Sequence, residues 1–165
     1  MINQLTPDQS AELLKSLDKL PPIFSDVKTA IVNGYGYWYP LSGLTPPMKT
    51  AVYSLDSIYN DNKIEMIKRV LEIAEISNAT GFHPYWFEGQ PRWKTVDDMK
   101  TILFSRDSDG YVFPGTLEEY YYDDTETWMI YVSHEGTITF SGERLSRIAE
   151  NVISDKYRYP LARPF

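Results

Sequence analysis

The chain has 165 residues, no cysteine and a formal net charge of −7 at neutral pH. That length suits one domain over 1–165 with a sizeable core, while the absence of thiols excludes disulfides, thiolate nucleophiles and Cys-based zinc sites. No stretch approaches the roughly 18 consecutive apolar residues of a membrane span, and the start "MINQLTPDQSAELL" lacks the basic end and apolar run of a signal peptide, so the cytoplasm is the expected setting.

A first helix is expected over 7–20. Thr6 stands as its N-cap, Pro7 at its first position, and Leu13, Leu14, Leu17 and Leu20 form an apolar stripe that Pro21 and Pro22 end. Residues 27–39 read as strand or irregular extended chain interrupted by Gly34 and Gly36. A second helix is expected to restart at Thr45 and carry Met48, Val52, Leu55 and Tyr59 at helical spacing. The strongest helix pattern follows from Lys63 to about Ile76. Ile64, Ile67, Leu71 and Ala74 line one face, and Glu65–Arg69 and Lys68–Glu72 stand as (i, i+4) pairs.

Gly81 is expected to end that helix. "GFHPYWFEGQPRW" then reads as an irregular aromatic stretch with prolines at 84 and 91. A short helix capped by Thr95, "TVDDMKTILF", and a turn-rich link, "RDSDGYVFPG", lead into an acidic region. The last helix is expected from about Glu143, with Leu145, Ile148, Ala149 and Val152 buried, and the tail "DKYRYPLARPF" has no clear periodicity.

The stretch "TWMIYVSHEGTITFSG" over 127–142 holds Ser133, His134 and Glu135, three residue types that hydrolases combine. Read as a hairpin with the loop His134-Glu135-Gly136, it opposes Val132 to Ile138, Tyr131 to Thr139 and Ile130 to Phe140. Trp128, Ile130, Val132, Ile138 and Phe140 then share one apolar face, which a one-residue slip would mix. Gly136 falls at the left-handed position of that loop. Adjacent side chains at a loop tip do not meet in the nucleophile–base–orienter geometry that catalysis needs, and the Gly-x-Ser-x-Gly elbow is absent. A turn is the expectation.

Other chemistry is thinly represented. "DSDG" at 107–110 lacks the later ligands of a calcium loop, two histidines without cysteine make a poor transition-metal set, and no phosphate-binding glycine loop occurs. No cofactor or metal is expected. The alternative functions are an enzyme or small-ligand binder, which would use the aromatic segment 82–93 with His83 as acid or base, and a regulatory module with neither property.

The distribution of charge is more informative than its total. Between 107 and 143 there are nine acids and no Lys or Arg, which exceeds the whole net charge. Such a surface repels nucleic acid and anionic lipid and attracts basic proteins. Within it, "TLEEYYYDDTETW" sets three tyrosines in a row, of which one strand or helix face cannot bury all, so at least one is expected at the surface. The candidate partner-binding set is Asp107, Asp109, Glu118, Glu119, Tyr120, Tyr121, Tyr122, Asp123, Asp124 and Glu126, with the acids steering and the tyrosines anchoring.

The run "GTLEEYYYDDTETWMIYVSHEGTITFSG" over 115–142 resembles the C-terminal part of small bacterial proteins of unknown function, among them immunity proteins of polymorphic-toxin and contact-dependent inhibition systems. The resemblance implies a binder of a basic toxin domain, a nuclease among the candidates, and it carries over no catalytic residue. The expected fold class is α+β: several helices packed on a small antiparallel sheet, with the hairpin near 128–140 followed by a helix.

Overall fold

The computed structural model describes residues 8, 15, 49–83, 92–102, 105, 106, 112, 113, 119–133 and 136–159. Asp8 and Lys15 are helical and exposed; the remainder of the predicted first helix, the 27–39 segment and residues 84–91 lie outside the described residues.

The hairpin forms in the expected register. Strands β7 (Met129–Val132) and β8 (Thr137–Ser141) pair Ile130 with Phe140, Tyr131 with Thr139 and Val132 with Ile138. The loop closes through Ser133 N–H to Thr137 O at 3.0 Å and Gly136 N–H to Ser133 O at 3.1 Å, with Gly136 at φ 73°. Ser133 spends its hydroxyl on Thr137, Oγ to Oγ1 2.7 Å.

Four more strands extend this pair: β1 (Thr50–Ser54), β2 (Ala79–His83), β3 (Arg92–Val96) and β6 (Glu119–Tyr122). The sheet runs β1-β8-β7-β6-β2-β3, antiparallel throughout. A two-stranded ladder, β4 (Ser105–Arg106) with β5 (Val112–Phe113), stands apart from it. The fold is therefore α+β, with a larger sheet than the sequence suggests.

The helices are α1 (Leu55–Asn60), α2 (Glu65–Ile73), α3 (Met99–Ile102) and α4 (Glu143–Val152), followed by a 3-10 turn at Asp155–Tyr157. Ile67, Val70 and Leu71 of α2 and Leu145 and Ala149 of α4 join Ala51, Tyr53, Tyr121, Ile130, Val132, Ile138 and Phe140 in one core. Each such aliphatic or aromatic burial is worth roughly 1.5–3 kcal/mol before entropy. Arg144 of α4 locks the helix pair by donating to the α2 C-terminal carbonyls of Ala74 at 2.9 Å and Ile73 at 3.0 Å. On α2 the ion pairs form at (i, i+3), Lys68–Glu65 at 2.9 Å and Arg69–Glu72 at 3.4 Å, in place of the expected (i, i+4) partners.

Several boundaries differ from expectation. Thr50–Ser54 is a strand, not the middle of a helix, because its backbone completes the ladder of β8; the helix begins only at Leu55, where the Ser54 hydroxyl accepts from Ser57 N–H at 3.2 Å. Gly81 sits inside β2, and the preceding helix ends earlier, with Glu75 at φ 59°. The flanks of the aromatic segment, 79–83 and 92–96, are paired strands. Thr95 belongs to β3, so Asp98 starts α3 instead, accepting from Lys100 N–H at 3.0 Å and Thr101 Oγ1 at 2.8 Å.

Candidate functional site

The sheet register fixes which residues of the acidic region stand together. Thr50, Ser141, Met129, Tyr122 and Thr80 lie in line across β1, β8, β7, β6 and β2. The same end of the sheet therefore carries the β6–β7 turn with Asp123, Asp124 and Glu126, the exit of β3 with Asp97 and Asp98, and the start of α4 with Glu143.

These acids divide by what they bond. Asp123 organises its own turn, accepting from Thr125 N–H at 2.9 Å, from the Thr125 hydroxyl and from Trp128 Nε1 at 2.8 Å. Asp98 starts α3, and its bonds with Thr101 and Lys100 hold its carboxyl below the ordinary value. Glu143 pairs with Arg147. Asp97, Asp124 and Glu126 are exposed and have no ion-pair partner among the described residues. The turn presents Asp124 and Glu126 from a fixed backbone, with Glu126 at φ 56°. Such an arrangement can attract and orient a cationic surface.

The rest of the predicted set is distributed differently. Asp107, Asp109 and Glu118 lie outside the described residues. Tyr120, Tyr121 and Tyr122 are 2%, 0% and 7% exposed, so the expectation of a surface tyrosine is corrected. The reason is that both faces of the sheet are buried: Tyr121 faces the helices, while Tyr120 lies on the opposite face, stacked on Tyr131 at 4.5 Å between centroids and beside Phe82 at 6.1 Å. Alternation then gives no residue of β6 to solvent.

Glu119 is also buried, and it does not steer. Its carboxylate accepts from Lys94 Nζ at 2.8 and 3.0 Å and from the Tyr121 hydroxyl. Burial pushes its carboxyl above the ordinary value, opposed by the Lys94 and Tyr121 bonds. Burial and the adjacent Glu119 push the Tyr121 phenol upward.

Sequence reading overlooked Asp97 and Lys94. Asp97 stood only inside the predicted short helix 95–104, and its place at the same end of the sheet as the β6–β7 turn depends on β2 and β3 joining the sheet. Lys94 had no signal at all, since it lies 25 residues from its partner Glu119. His83, the residue favoured by an enzymatic reading, is the last residue of β2, paired in register with Arg92. Among the described residues no group of three or more His, Asp or Glu could hold a metal ion, and no helix is long and apolar enough to cross a membrane. Comparison of the chain with protein-family models, with curated proteins and with solved structures found no match.

Proposed function

We propose that this chain is a protein-binding inhibitor, an immunity protein that neutralises a basic bacterial toxin domain, such as a nuclease, by steric occlusion. The observation that carries the reading is the group of unpaired, exposed acids Asp97, Asp124 and Glu126 at one end of the sheet. Asp123 holds the turn that bears two of them. A pre-shaped anionic surface attracts a cationic partner at long range and loses little conformational entropy on contact.

Tyr120, Tyr121 and Tyr122 contribute from beneath, as the rigid strand on which the turn is mounted. The binding surface is then electrostatic first, and the inhibitor needs no chemistry of its own. It covers the toxin's basic substrate cleft.

The reading requires a basic toxin domain encoded beside this chain's gene. Mixed at equal concentration with the chain, that domain should lose its activity with one-to-one stoichiometry. Full toxin activity in the presence of excess chain would reject the proposal.

A further inference from the structure

Glu119 is the only buried charged residue among the described residues, and the surroundings of its carboxylate have the shape of a receptor. Tyr121, Gly81 and Lys94 stand in one row across β6, β2 and β3. Gly81 supplies a floor without a side chain: a Cβ there would stand 3.0 Å from Lys94 Cγ and Cε and 3.3 Å from Tyr121 Cε1. The Lys94 stem therefore lies across the bare backbone. The Tyr121 ring forms a wall, with Lys94 Nζ 5.8 Å from its centroid. The Glu119 carboxylate closes the end, with Nζ 2.8 and 3.0 Å from its two oxygens. An apolar floor, an aromatic wall and an anionic end match the stem and ammonium of a lysine side chain.

The two partners differ in their access to water. The Glu119 side chain is 7% exposed and that of Lys94 42%. Lys94 can thus swing out and recover hydration and rotamer freedom, whereas Glu119 stays buried and must keep a cation. We propose that Gly81, Tyr121 and Glu119 form a lysine-receptor slot, filled by Lys94 in the free chain, and that a lysine of the basic partner replaces Lys94 on docking. The exchange rests on the binding function proposed above. It trades one ammonium for another, so it costs little and fixes the register of the two surfaces.

The slot is tested on the chain alone, which separates its failure from that of the inhibitor function. Lys94→Ala empties the slot and should lower Tm by several degrees. Gly-Lys-Gly capped at both ends should restore the lost Tm saturably, with half-saturation on the order of 1 mM. Capped Gly-Ala-Gly at equal ionic strength should not, and the double variant Lys94→Ala with Glu119→Gln should not respond to the lysine peptide. If Lys94→Ala is unfolded at 25 °C, far-ultraviolet circular dichroism reads the same titration as refolding, with Lys94→Gln measured alongside. Recovery by the lysine peptide supports the slot. A response no larger than that to the alanine peptide in both variants overturns it.

Discussion

Asp61 fastens the C-terminal tail to the end of α1 through Lys156 Nζ at 2.7 Å and the Tyr157 hydroxyl at 2.8 Å. These bonds hold its carboxyl below the ordinary aspartate value. Its contribution to stability is therefore present above the unfolded-state value and is lost as pH falls through the lowered folded value. Asp61→Asn should unfold below wild type at pH 7, and the difference in Tm should shrink as pH drops below the ordinary aspartate value of about 3.9. A difference that stays constant down to pH 2 would contradict the linkage. At Gly136 the limit is backbone conformation: φ is 73°, which strains any residue with a Cβ, and the Asp56 carboxylate would have to move aside as well. Gly136→Ala should cost roughly 1–3 kcal/mol in denaturant unfolding. That glycine was legible in the sequence because the alternation on its two sides left a single register that buried one apolar face. The three tyrosines of β6 were not, because alternation alone does not say that a sheet is covered on both faces.

At the scale of elements, legibility followed how local the determining contacts are. Helices α2 and α4 carry their stripes within their own sequence, and both appear where expected, with α2 shorter at both ends. The segment that becomes β1 and α1 has an equally helical spacing at Val52, Leu55 and Tyr59, yet Thr50–Ser54 pairs with Thr137–Ser141, nearly ninety residues away. The tail then closes onto β1, with Tyr159 N–H to Val52 O at 2.9 Å and a bridge from Arg158 to Tyr53. Non-local ladders of this kind override propensity and leave no local trace. The contact between α2 and α4 is equally invisible in sequence; apolar side chains of both helices make it, and Arg144 ties its edge. Arg144→Met should lower stability by about 1–3 kcal/mol through the lost bonds to the Ala74 and Ile73 carbonyls. Hydrogen exchange should quicken first at the amides of the last turn of α2. Faster exchange spread evenly over the sheet would point to a different role.

On the scale of the whole molecule, the described acids of the acidic region separate into a buried part and a presented part. Glu119 goes inward to Lys94, Asp123 is spent on its own turn, and Asp97 shares an end of the sheet with Asp124 and Glu126 because β3 leaves the sheet at that end, one strand beyond β2. The concentration of acid was legible; its division was not, since that depends on which strands neighbour β6. The central claim is that this end of the sheet steers a basic partner. Its most direct measurement is the association rate with the basic toxin domain over a range of salt concentrations, comparing wild type with the triple variant Asp97→Lys, Asp124→Lys and Glu126→Lys. The three side chains are exposed and unpaired among the described residues, so the fold should be retained. The account predicts association slowed by on the order of tenfold or more at low salt, with a flattened salt dependence. Superimposable rates for the two proteins at every salt concentration would contradict it.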